Sequence, residues 1–233
     1  MLYTEEMVRS NIRNREGKRV FFLAKEDRLT PGARDWLSRE RIEVLPAEQA
    51  KINRFRLENG AIMEEKPEHM THLHGDVLVS KTHPRIRFRG AMDEVQAEIL
   101  LCQLIVSRKL QERLEELLGC ARRLIRCDVL DEAVPEEKLG CMTQQQLRER
   151  SHRPQDFYGQ THFMPEASDG REILELNRLR CVVRRAELAA VEAFVDEKGV
   201  PTRPDILKAL NRMSSLVYIL MIETKAGQQK RGE

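Results

Sequence analysis

The run Arg180-Cys-Val-Val-Arg184-Arg185-Ala-Glu187 holds residue types that could do chemistry. A helix through it stacks Arg180, Arg184 and Glu187 on one face beside Val183 and Ala186, because steps of four and three return to the same side. Two cations and a carboxylate, each about one turn from the next, suit the grip of a polyanion, or of a carboxylate on a neighbouring helix. A solvated basic stripe has the same period. Other segments must decide between them.

A second concentration lies between Lys66 and Glu94, with Thr71, Ser80, Lys81, Thr82 and the glycines Gly75 and Gly90 just ahead of a helical pattern. Backbone N–H groups, hydroxyls and a lysine are what a phosphate chain needs, although G-x-x-x-x-G-K-[ST] is absent. An ordinary connecting loop is the competing reading. His69, His72 and His74 could share a metal ion, but no cysteine stands beside them and histidines in a polar loop are commonly solvated. The expectation is no bound metal. A hydrolase reading fails for want of a G-x-S-x-G elbow.

The elements that must position these residues read as mainly α. The chain has 233 residues, 33% charged and only 5% aromatic, which fits helices with charged outer faces better than a β-sandwich. With 40 basic and 38 acidic residues there is no global field to recruit nucleic acid or an acidic membrane, so any anion site must be local. The five cysteines form no C-x-x-C pair, and the apolar setting of Cys102 and Cys181 predicts reduced thiols inside helices. No signal core or membrane-length apolar run is evident, which predicts a soluble, cytoplasmic protein.

Residues 1–48 read as a small α/β unit, with a helix near Thr4 to Ile12, a strand at Arg19 to Ala24, a helix opened by Thr30-Pro31 and a strand at Ile42 to Leu45. Residues 49–68 read as a linker or a hairpin turned at Asn59-Gly60. From Met92 onward apolar residues recur at steps of three and four, which predicts a helical bundle over 69–225. Breaks fall near Pro135, Gly140 and Pro154. Strong helices are expected at about 170–198 and 203–224, the second capped at Thr202-Arg-Pro204-Asp205. Residues 226–233 read as a flexible tail.

Three segments resemble, in order, the motifs of the propanediol-type ATP:cob(I)alamin adenosyltransferases: Val79-Ser-Lys-Thr-His-Pro-Arg with Gly90-Ala-Met-Asp93-Glu94, the Arg180 to Glu187 helix, and Leu210-Asn211-Arg212-Met-Ser214-Ser. The chain is more similar to the ethanolamine-utilisation branch of that family. Leu29-Thr-Pro-Gly-Ala-Arg, Lys66-Pro-Glu with Thr71-His-Leu, Ser151-His152, Met164-Pro165 to Gly170-Arg171, and Arg203-Pro-Asp-Ile-Leu-Lys-Ala-Leu-Asn-Arg carry that likeness over nearly the whole chain.

The resemblance implies a five-helix bundle, usually a homotrimer, that binds ATP with magnesium and cobalamin at subunit interfaces. It places Thr71, Lys81, Arg184, Glu187 and Asn211 in the ATP site, and Asp93 with Arg180 in a salt bridge between subunits beside the corrin. A family phenylalanine that displaces the lower ligand of cobalt corresponds to Phe163 or is replaced by His162. The chain departs from the pattern at Leu188, where the family has arginine, and in the Lys66 to Gly75 segment, which replaces a glycine-rich phosphate loop. It also lacks the His and Cys-Cys-x-x-Cys insertion of some ethanolamine-branch members. Co(I) is itself the nucleophile, so the protein has only to position ATP, neutralise a departing triphosphate and keep water from the cobalt. The same branch suggests a reductase or microcompartment partner. A non-catalytic cobalamin carrier or regulatory bundle is the alternative, resting on Leu188 and the altered phosphate loop.

Overall fold

A computed structural model describes residues 1–15, 18–50, 55–63 and 65–232. The chain divides into two compact units, Met1–Met70 with Asp76–Leu78, and Thr71–Gly75 with Val79–Glu233.

The first unit runs β1 (Leu2–Tyr3), α1 (Glu5–Ser10), β2 (Arg13–Arg15), β3 (Lys18–Leu23), β4 (Arg28–Leu29), α2 (Pro31–Arg39), β5 (Glu43–Pro46), α3 (Ala47–Ala50), β6 (Phe55–Leu57) and β7 (Ile62–Met63). Strands β3 and β5 pair in parallel from Val20↔Glu43 to Leu23↔Pro46. Parallel neighbours need a crossover, and α2 supplies it. Thr30 accepts from Ala33 N and Pro31 opens the helix, so α2 starts where its sequence predicts. Its inner face buries Ala33, Trp36 and Leu37 against Val8, Phe21 and Ile42. Within residues 49–68, β6 and β7 form the antiparallel hairpin, turned through Gly60 at a φ of 85° that favours glycine. A linker is therefore the wrong description for 55–63, because its backbone groups are paired. Residues 51–54 and 64 of that segment lie outside the described residues.

Strands β8 (Met70–His74) and β9 (Val77–Ser80) carry the chain from one unit into the next, turning at Gly75. Residues 70–74, anticipated as loop, are thus strand; their Met-Thr-His-Leu-His alternation is too short and too polar to announce it.

The second unit holds α4 (Pro84–Gln103), α5 (Arg108–Leu130), α6 (Gln144–His152), α7 (Pro154–Tyr158), α8 (Gly170–Phe194) and α9 (Pro204–Gly232). Helices α4, α5, α6, α8 and α9 make a five-helix bundle, the short α6 lying on α9. Helix α4 begins at Pro84, a full two turns before the apolar period is legible at Met92, because His83 Nδ1 accepts from Arg85 N and proline occupies the first position. Successive contacts show each long pair to be antiparallel. Arg87–Glu192, Glu94–Arg185 and Glu98–Arg178 join α4 to α8, while Asn211–Glu187 and Tyr218–Arg180 join α9 to α8. One continuous core fills the bundle, including Phe88, Met92, Leu114, Leu117, Leu176, Val183, Met213 and Leu220.

Two expectations need correction here. Cys102 is buried, and burial, with Glu175 and Glu98 nearby, pushes its thiol up to about 12, but Cys181 is exposed on the outer face of α8. Helix α9 also continues to Gly232, so residues 226–232 of the expected tail are helical, and Gln228 Nε2 donates to the Asp169 carbonyl at 3.2 Å.

Candidate active site

The seam between α8 and α9 gathers most of the residues singled out above. Val183 and Ala186 are fully buried, which fixes the rotation of α8 and leaves Arg184 exposed, with Arg180 and Glu187 half-buried at the edge. Because α9 runs antiparallel to α8, Asn211 meets Glu187 and Tyr218, two turns further on, meets Arg180. Asn211 Nδ2 donates to Glu187 Oε1 at 3.0 Å. The Arg180 guanidinium lies 5.1 Å from the centre of the Tyr218 ring, a cation–π contact.

The four arginines of this stretch do not share one fate. Arg178 and Arg185 are neutralised by Glu98 and Glu94 of α4, and Arg180 is drawn onto Tyr218. Arg184 has no hydrogen-bond or ion-pair partner among the described residues. A guanidinium left unpaired between two organised pairs is a ready receptor for an oxyanion.

The segment 159–166 crosses the same end of the seam. His162 stacks on Tyr218, with ring centres 5.8 Å apart and an interplanar angle of 7°. Its Nδ1 lies 2.8 Å from Tyr218 Oη and its Nε2 3.3 Å from the His152 carbonyl. A carbonyl can only accept, so Nε2 carries the proton and Nδ1 accepts from the phenol. Burial pushes the Tyr218 phenol up, against a backbone hydrogen bond from Phe163 and the Arg180 charge. Phe163 is half-buried against the bundle core, with Lys225 Nζ 4.7 Å from its ring centre and paired in turn to Asp169. The two candidates for the cobalt-facing role thus differ: Phe163 is packed inward, and His162 is exposed with both nitrogens engaged.

Thr71 sits half-buried in β8 and Lys81 is exposed just after β9, and among the described residues neither makes a hydrogen bond or ion pair to the α8–α9 seam. What holds β8 to the helices is Asp128 of α5, fully buried. It accepts from Arg85 Nε at 2.9 Å and Arg89 Nε at 2.6 Å, and Arg89 Nη2 donates to the Leu73 carbonyl at 2.9 Å. Asp93 is exposed on α4 and accepts from Gln96 of its own helix at 3.3 Å, without meeting Arg180 of the same chain. Among the described residues no three His, Cys, Asp or Glu side chains converge as a metal cluster, and His69, His72 and His74 lie along β8 and its approach. Among the described residues no helix is long and apolar enough to cross a membrane.

A family model for cobalamin adenosyltransferases matches residues 61–224, which include α4 to α8, most of α9 and every residue of this seam. The chain belongs to the cobalamin adenosyltransferase family. It is therefore an enzyme, a transferase acting on corrinoid. The corrinoid adenosyltransferase EutT of Salmonella typhimurium is 31% identical over 94% of this chain and 90% of its own length. EutT of Escherichia coli K12 is 34% identical over 72% of this chain and 66% of its own. Among solved structures, a variant PduO-type ATP:corrinoid adenosyltransferase from Lactobacillus reuteri, complexed with cobalamin and ATP, matches with a TM-score of 0.55. It shares 18% identity over 70% of this chain and 91% of that one, a likeness of fold. Tyr218, Arg212 and Asp128 were not anticipated. Tyr218 had a signal, since it stands seven residues after Asn211 and so on the same helix face.

Proposed function

We propose that this adenosyltransferase moves the 5′-deoxyadenosyl group of ATP to Co(I) of cobalamin with Arg184 as the group that stabilises the leaving triphosphate. The cobalt electron pair forms the Co–C5′ bond, the C5′–O bond breaks, and the triphosphate leaves with that bond's electrons. The observation that carries the reading is the unpaired Arg184, flanked on α8 by Arg180 and Glu187, each already held by α9. Lys81 and Thr71 complete the phosphate contacts in this proposal, and Glu187 with Asn211 holds the nucleotide. A magnesium ion bound chiefly through substrate phosphates and one carboxylate fits Glu187, whose Oε2 is left by the Asn211 bond; it would supply charge neutralisation on the triphosphate. Phe163, packed inward, and the His162–Tyr218 stack keep water from the corrin side of the seam.

The proposal includes a homotrimer in which Asp93 of one subunit meets Arg180 of the next. In support, neither group has an oppositely charged partner in its own chain among the described residues. Cytoplasmic placement fits five free cysteines. A reductase and a microcompartment rest on the likeness to the ethanolamine branch alone. Purified protein supplied with chemically reduced cobalamin, ATP and magnesium should yield light-sensitive adenosylcobalamin. No such product under strictly reducing conditions overturns the proposal.

A further inference from the structure

Arg212 is the next residue after Asn211 on α9, and consecutive residues of a helix point about 100° apart. Its guanidinium nonetheless turns back, and Nη2 donates to Asn211 Oδ1 at 2.6 Å. That is its one hydrogen bond among the described residues. Nε and Nη1 are buried without partners, and no carboxylate lies within ion-pair distance. An arginine placed for stability would be expected to bind a carboxylate or reach water with those nitrogens, since an unpaired polar group out of water is costly.

The geometry points to Arg212 as a positioning residue that sets the Asn211 amide, and through it Glu187, for the nucleotide. An asparagine amide can be turned either way at little cost on its own. Here one orientation is enforced. Arginine only donates, so Oδ1 must face Arg212, and Nδ2 is then the atom left to donate to Glu187 Oε1 at 3.0 Å. The reversed amide would set N–H against guanidinium N–H at one end and oxygen against carboxylate at the other. A cation, an amide dipole and an anion thus line up across the seam. Burial and the charge of Arg148 work against protonated Arg212, and Glu187 is the counter-charge that favours it. With Oε1 committed, Glu187 Oε2 is presented in a fixed direction. Without Arg212 the amide can turn, and Glu187 loses its orientation.

This inference rests on the proposed nucleotide role of Asn211 and Glu187. Its test is a double-mutant cycle, with ATP affinity read by calorimetry and turnover by the light-sensitive product. Arg212→Met should weaken ATP binding about tenfold when Asn211 is present and by less than about twofold in an Asn211→Ala background, because coupled residues are non-additive. Arg212→Lys, which keeps a charged donor, should restore affinity to within about threefold of wild type. The thermal midpoint of Arg212→Met should equal or exceed that of wild type, since an apolar chain replaces two unpartnered buried nitrogens. Equal losses in both backgrounds, or a lost midpoint that accounts for lost activity, overturns the inference and leaves the function standing. Failure of the wild-type protein to bind ATP overturns both.

Discussion

At the scale of single residues, what separates Arg184 from its neighbours is the absence of a partner. Arg178 and Arg185 are spent on α4 carboxylates and are not free to meet a phosphate, so replacing them should change turnover little. Arg184→Ala should lower turnover by on the order of a hundredfold, because a preorganised charge facing developing negative charge is typically worth ~3 kcal/mol. Wild-type turnover in that variant, measured with saturating cobalamin, would return Arg184 to the solvated face. The spacing of Arg180, Arg184 and Glu187 was legible because a helix obeys one period and buried Val183 and Ala186 mark its inner side. The fates of the four arginines were not. Which of them is neutralised depends on α4 lying antiparallel to α8 in one register, and nothing local to residues 180–187 encodes that register. The same holds for Tyr218, whose ring matters because Arg180 and His162 arrive from two distant segments.

At the scale of elements, the start of α9 shows how a helix that carries site residues is anchored. Asp205 accepts from Arg203 Nε at 3.0 Å and from Val134 N at 2.9 Å, and Arg203 Nη2 donates to the Glu132 carbonyl at 2.7 Å. One first-turn carboxylate therefore ties α9 to the segment that leaves α5, as well as meeting the positive end of the helix. Burial pushes the Asp205 carboxyl up, but the Arg203 and Val134 hydrogen bonds and the Arg203 charge outweigh it and hold the group at about 2. A carboxyl lowered on folding contributes stability in full above its unfolded value of ~3.9 and loses it as pH falls through the folded value. Urea unfolding should show Asp205→Asn less stable than wild type at pH 5, with the gap closing between about pH 4 and pH 2. Asp169 is lowered as well, by Lys225 and the Glu166 backbone, and the gap between the two proteins cancels its share. A gap that stays constant with pH would remove Asp205 from the acid limb. The proline and acid at 204 and 205 made the helix start readable; the reach to Val134 was hidden, because 71 residues, with α6, α7 and α8 among them, separate the partners. β8 was hidden for a different reason. Arg89 ties it to the bundle through a backbone carbonyl, and carbonyls leave no trace in side-chain pattern.

At the scale of the whole molecule, the pair expected between subunits offers the strictest test, because it links assembly to chemistry. Asp93 is exposed with a glutamine for company, and Arg180 is half-buried on an aromatic ring, so each has an unmet charge in its own chain. If Asp93 of one subunit meets Arg180 of the next, each active site needs parts from two chains, and two inactive variants should rescue each other. Going round a closed trimer mixed from Asp93→Ala and Arg180→Ala subunits, the chain type changes once in each direction, and one of those two junctions joins an intact Asp93 to an intact Arg180. Every mixed trimer regains one site of three. Random mixing at equal amounts makes about three quarters of the trimers mixed, so co-refolded protein should recover roughly a quarter of wild-type activity. Neither variant alone should approach that, since stranding one charge of a buried interfacial pair costs ~3 to 5 kcal/mol. Native mass spectrometry supplies the control: mixed trimers that form yet show no activity above the separate variants would sever Asp93 from Arg180, and a dimer in place of a trimer would change the expected recovery through the count of junctions per ring.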